Sequence, residues 1–213
     1  MLKDNPRTNL WGKSFTFWRI KMLGCPVRTL QDEKEINWLI ERVKVIQPRK
    51  VLEIGSFFGG TLWTWMQICP TGSHFVSVDK LISDNNPDYA QQIQGHDVLW
   101  SQWAEQHGHT LKVFEADSTR TATAQLVKAE MPQVDFLFID ADHHYAMVKR
   151  DYELYSPLVR PGGLIAFHDI GKVSDPDGYG VHTFWSELIG EDREGFMAST
   201  DEKGIGLIKK RSI

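Results

Sequence analysis

The stretch "VLEIGSFFGG", residues 51–60, decides how the rest of the chain is read. Val51, Leu52 and Ile54 place apolar side chains on both faces of a short extended run, as a strand buried on two sides requires. Gly55, Gly59 and Gly60 then mark a sharp turn. Glycines there let a ligand approach backbone amides, and a following helix would offer its free N–H groups at the same place.

Working outward, "TLWTWMQI" predicts a helix ended by Pro70 and Gly72, and "HFVSVD" predicts the next strand. Upstream, Ile36, Leu39, Ile40 and Val43 recur at helical spacing behind Asp32, Glu33 and Glu35, with Pro48 closing that helix. Downstream the alternation continues. Residues 88–106 read as a helix, "TLKVFEAD" as a strand, 119–130 as a helix and "VDFLFID" as a strand. Tyr145, Val148, Tyr152 and Tyr155 share one helical face, "PGG" turns the chain into "LIAFHD", and "GFMAST" with "GIGLIKK" predicts a terminal hairpin at one edge. The expected class is α/β, a doubly wound, mostly parallel seven-stranded sheet covered on both faces, with an antiparallel C-terminal edge hairpin.

The chain of 213 residues, 41% hydrophobic and 24% charged, suits one main domain. A net charge of -4 gives no electrostatic footprint for nucleic acid. No apolar run reaches membrane-spanning length and no secretory leader is visible, so a cytoplasmic protein without a membrane partner is expected. Cys25 and Cys69 lack metal or disulfide spacing. Residues 1–33 form a separate expectation. Six basic residues, Lys3, Arg7, Lys13, Arg19, Lys21 and Arg28, stand against Asp4 in the first 28 and accompany Trp11, Phe15, Phe17 and Trp18. This composition suits an active-site cap, a homodimer arm, a phosphate-binding patch, or a terminal segment packed on the body with its charges in water.

Asp79, Asp117, Asp140 and Asp169 all fall at or just beyond the C-terminal ends of predicted strands, where open parallel sheets bind ligands. Asp79 lies 24 residues beyond Gly55, the spacing at which such a sheet presents an acid to ribose hydroxyls. The turn reads "GSFFGG" rather than GxGxxG. Phe57 stands where a second glycine would admit a diphosphate, so adenosine is favoured and a nicotinamide dinucleotide is not.

Together "VLEIGSFFGG", "VSVDK", "EADS" and "FIDADHHYAMVKRDYELYSPLVRPGGLIAFHDI" resemble the class I S-adenosylmethionine-dependent methyltransferases, whose sheet is Rossmann-like, across residues 34–210. The nearest group is the small-molecule O-methyltransferases allied to cephalosporin-hydroxylase-like proteins and to the metal-dependent enzymes of macrolide sugars and catechols. The resemblance implies a methyltransferase domain over 34–213 that moves a methyl group from S-adenosylmethionine to a hydroxyl of a small molecule with divalent-metal assistance. A metal-independent methyltransferase and a noncatalytic S-adenosylmethionine-binding protein are the alternatives.

By the same resemblance Glu53, Gly55, Ser56, Phe57, Gly59 and Gly60 meet the methionine part of the cofactor. Asp79 and Lys80 lie at the ribose, Asp117 and Ser118 at the adenine, and Asp140 beside the sulfonium. Asp140, His168 and Asp169 are the implied metal ligands for Mg2+ or Mn2+. His168 replaces a carboxylate and Ile170 an asparagine of those relatives, and an imidazole shifts the donor set from Mg2+ towards Mn2+, Fe2+ or Zn2+. His143 is the implied catalytic base acting with Asp140, and His144 its neighbour and rival. Residues 174–188 lie beyond the last strand-end acid, and their Tyr179, His182 and Trp185 read either as a pocket wall for a sugar, phenol or catechol or as aromatic core packing.

Overall fold

The computed structural model describes Val27 and residues 31–80, 95–171, 180–198 and 203–211. The basic aromatic segment up to residue 26, the first part of the 88–106 helix, and Tyr179 lie outside the described residues. Helix α1, Glu33–Ile46, begins at Asp32, whose side chain accepts from the N–H groups of Lys34 and Glu35, and it ends where Gln47 turns left-handed. Then follow β1 (Lys50–Ile54), α2 (Gly60–Ile68), β2 (His74–Asp79), α3 (His96–Gln106), β3 (Thr110–Glu115), α4 (Thr121–Glu130) and β4 (Val134–Ile139). The chain continues through α5 (Tyr145–Tyr155), a short 3-10 turn, β5 (Val159–His168), α6 (Val181–Glu187), β6 (Asp192–Phe196) and β7 (Ile205–Lys209).

These strands make one seven-stranded sheet in the order β3-β2-β1-β4-β5-β7-β6. The pairs among β1 to β5 are parallel, whereas β5 with β7 and β7 with β6 are antiparallel. This is the doubly wound, mostly parallel architecture predicted from the sequence. Its register explains the double burial. Val51 is level with Phe75 and Phe136 and packs with α1, α2 and α3 on one face, while Leu52, level with Val76 and Leu137, packs with α4 and α5 on the other. Strands β1 and β4 are neighbours although the chain winds away from β1 in one direction and from β4 in the other. Their C-terminal ends therefore open at the switch point of the sheet.

Two local expectations are corrected. "PGG" does not precede a strand but lies inside β5, with a register shift against β4 between Val134 and Phe136. The reason is pairing: Gly162 N–H donates to Lys210 O, and Lys210 N–H donates back to Gly163 O. Strand β6 starts at Asp192 rather than in "GFMAST", since Gly195 and Gly206 pair and leave room for the Trp185 ring against both. The antiparallel C-terminal edge hairpin is present as expected, with β7 beside β5 and β6 outermost. Among the described residues no helix is long and apolar enough to cross a membrane.

Candidate active site

The glycine turn is built by close approach. Gly55 has φ 85°, and any Cβ there would collide with the backbone of Asp140 and Ala141. Gly55 N–H donates to Val78 O at 2.9 Å and Asp140 N–H to Ile54 O at 2.8 Å, so the ends of β2, β1 and β4 are tied around the turn. The Ser56 and Phe57 N–H groups donate to Asp79 Oδ2 at 2.7 and 2.8 Å. Phe57 itself is left-handed at φ 51°, an uncommon state for a bulky residue that this carboxylate helps to hold. Asp79 thus fixes the loop from the position at which the sequence sets a ribose contact.

Glu53 lies one layer deeper. It is fully buried, with Thr61 Oγ1 and Trp65 Nε1 donating to its two oxygens at 2.9 and 2.6 Å. Burial pushes its carboxyl up to about 8, in spite of Ser56, Thr61 and Trp65. The structure places it as the clasp between β1 and α2, while Gly59 and Gly60 start that helix, with no room at Gly59 for a side chain against Trp100.

At the neighbouring strand ends, Asp117 accepts from Thr119 N–H and Oγ1 and lies 3.7 Å from the half-exposed Lys80 ammonium. Its carboxyl is held below the usual range, first by Thr119. Ser118 O accepts from the Tyr155 hydroxyl at 2.7 Å. Behind them sits Asp151 on α5, buried, with no hydrogen-bond partner for either oxygen. Its burial, reinforced by Asp117 and Asp142, raises its carboxyl to about 7. An acid raised on folding is neutral in both states below its unfolded value and costs stability once pH climbs above it. Asp151→Asn should therefore stabilise the protein by on the order of 4 kcal/mol above pH 7, the gain shrinking towards pH 4. Melting temperatures of both chains between pH 4 and pH 8 check this; a gain that does not change with pH contradicts it.

The second cluster joins β4, the loop after it and the end of β5. Asp140 follows β4, and Asp169 follows β5 with a left-handed backbone at φ 63°. His143 Nε2 lies 2.9 Å from Asp169 Oδ2 and 3.5 Å from Asp140 Oδ1. His168 Nδ1 lies 2.9 and 3.3 Å from those same two oxygens. Two imidazoles thus bridge two carboxylates. Burial opposes the charge on both rings, but Asp140 and Asp169 outweigh it and raise His143 to about 9 and His168 to about 10. Asp169 is correspondingly held well below the ordinary carboxylate range, the imidazoles outweighing its burial.

Asp140, His143 and Asp169 each bring one donor atom within 4.8 Å of the others, a spacing that suits a shared cation. His168 of the sequence-derived ligand set is next to them but buried, with its Nε2 unpartnered. His144 turns outward, its Nδ1 2.6 Å from Asp142 Oδ1. Two contacts escaped the sequence. Lys203 Nζ reaches Asp169 Oδ1 at 3.1 Å, and Gln31 Nε2 donates to Asp140 Oδ2 at 2.7 Å. No motif marks either residue. Of the expected pocket wall, Trp185 packs against Phe167 and His182 Nδ1 contacts Ile170 O at 2.9 Å.

Residues 52–170, from the middle of β1 to the end of this cluster, match a family described as methyltransferase domain. The chain belongs to the methyltransferase-domain family. That membership bears out the resemblance to class I S-adenosylmethionine-dependent methyltransferases. The methyltransferase domain is 29% identical over 155 residues to tapetum-specific methyltransferase 1 of Arabidopsis thaliana, covering 71% of this chain and 57% of that one. It is 27% identical to the protein y4gI of Sinorhizobium fredii, over 71% of this chain but 16% of that one. The chain therefore spans well under two thirds of either relative. Among solved structures it is similar to an O-methyltransferase of Bacillus cereus in complex with SAH. That likeness, at TM-score 0.59 and 18% identity over 88% of this chain and 85% of the other, is one of fold.

Proposed function

We propose that this methyltransferase domain transfers a methyl group from S-adenosylmethionine to a hydroxyl of a small molecule, with a divalent ion held by Asp140 and Asp169 beside an imidazole. The observation that carries the reading is the juxtaposition at one switch point. A glycine turn hooked onto Asp79 and the Asp140, His143 and Asp169 cluster meet through the Gly55 contact with the Asp140 backbone. The donor set fits such an ion: the Asp140 and Asp169 oxygens with His168 Nδ1, which leaves His143 as the base, suit Mn2+, Fe2+ or Zn2+ better than Mg2+. When bound, a divalent ion supplies Lewis-acid polarisation of the acceptor oxygen.

The chain's own residues do the rest. The Gly55–Gly60 turn and Asp79 hold the donor, with Asp117, Ser118 and Lys80 towards its adenosine end. Asp169 orients His143 by the 2.9 Å contact, and His143 takes the hydroxyl proton as the oxygen attacks the methyl carbon and the sulfur leaves as S-adenosylhomocysteine. A charge that weakens the hold of the two carboxylates on the His143 proton favours the neutral base. The second reading, metal-independent transfer, is favoured by one contact: Lys203 already brings a cation to Asp169.

Purified full-length protein incubated with S-adenosylmethionine and sugar, phenol and catechol acceptors should form S-adenosylhomocysteine, and chelation should stop it until Mn2+ is restored. Turnover untouched by chelation moves the assignment to the metal-independent reading, and cofactor binding with no turnover on any acceptor moves it to a binding protein. His143→Gln should lower turnover by about 10²–10⁴-fold. S-adenosylhomocysteine affinity should stay at the parental value, and a variant that keeps full turnover removes His143 as base.

A further inference from the structure

Gln31 lies just before the Asp32 cap of α1 and is buried, yet it belongs to no motif. Its amide makes the sole described side-chain contact between this part of the chain and Asp140, across 109 positions of sequence. Its place is fixed by the helix that follows it. Asp32 caps the first turn, and the buried Glu35, one turn on, accepts from the Ala198 and Gly204 N–H groups at 3.0 and 3.1–3.2 Å, which docks the helix start onto the residues just after β6 and just before β7. Such support keeps a side chain in one rotamer.

The contact divides the labour of the Asp140 carboxylate. Oδ2 is taken by Gln31 at 2.7 Å, whereas Oδ1 is the atom that faces His143 at 3.5 Å and His168 at 3.3 Å. Gln31 Oε1 is buried without a hydrogen-bond partner. A buried amide is normally satisfied at both ends, so Gln31 keeps its contact with Asp140 although its own carbonyl goes unpaired.

We infer that Gln31 is a positioning residue of the cation centre: its amide N–H pins Asp140 Oδ2 so that Oδ1 is presented to the ion. The inference rests on the divalent-ion reading given above. Partners that orient a ligating group act on metal affinity as strongly as many ligands do, by about 10–100-fold. The amide is uncharged, so this influence is geometric and leaves the charge of the centre unchanged.

The test is Mn2+ binding to the full chain saturated with S-adenosylhomocysteine, read by calorimetry and by the paramagnetic resonance of free Mn2+, with no methyl acceptor present. Gln31→Met, which keeps the length and loses the donor, should weaken Mn2+ by about 10–100-fold. S-adenosylhomocysteine affinity should stay within about 3-fold of the parent, because the glycine turn and Asp79 are untouched. Gln31→Asn keeps the amide but withdraws it by one methylene, and should weaken Mn2+ by about 5–10-fold; it carries the measurement if the Met variant does not fold. Parental Mn2+ affinity in the folded Met variant, or in the Asn variant where that one alone folds, overturns the role of Gln31 while the metal reading stands. A parent chain that binds no Mn2+ overturns both.

Discussion

Asp169→Asn is expected to reduce methyl transfer by about 10²–10⁴-fold while the fold persists. One carboxylate serves three cationic neighbours: His143 and His168 at 2.9 Å on Oδ2 and Lys203 at 3.1 Å on Oδ1. Asparagine retains the shape and, unlike most residues, tolerates the left-handed backbone found there at φ 63°. It removes the charge that a cation needs and that holds the His143 proton. The metal-free variant should therefore release that proton at lower pH than the parent, whose imidazole is raised to about 9. Turnover, Mn2+ affinity and the His143 titration by NMR read the three consequences. Activity within about 3-fold of the parent, in a variant that still binds S-adenosylhomocysteine, would remove Asp169 from the reaction.

Asp79→Ala should weaken S-adenosylhomocysteine by about 100-fold in calorimetry, since it deletes two effects at once. The ribose loses its acceptor, and the Ser56 and Phe57 N–H groups lose the oxygen that holds the turn at 2.7 and 2.8 Å. Asp79→Asn keeps a neutral acceptor for those N–H groups and should cost only about 10-fold. The gap between the two variants measures the loop-holding part. Equal losses would assign the whole effect to the ribose, and no loss in either, or a preference for NAD, would reject this cofactor site.

Chemistry written in neighbouring residues was legible without coordinates. Val51, Leu52 and Ile54 announce a strand buried on both faces because side-chain direction alternates with a period of two, and the glycines after them announce the turn because only they tolerate its backbone. Asp79, Asp140 and Asp169 were found as strand-end acids for the same local reason, and the parallel topology then obliges such ends to share one side of the sheet.

Tertiary structure alone decided who meets whom there. The sequence read "PGG" as a turn because both glycines suit one, but pairing with Lys210 draws it into β5. The order within the edge hairpin that the sequence predicts, β7 beside β5 and β6 outermost, is set only by the antiparallel pairing of β7 with β5. His143 and His168 looked like a base and a ligand. Folding sets both imidazoles against the same two oxygens, because the backbone reverses to left-handed at Asp169 and breaks the alternation that would have separated successive side chains. Gln31 and Lys203 carry no local signal, since each acquires its meaning from a carboxylate that only the packing of α1 and the β7 approach brings within reach.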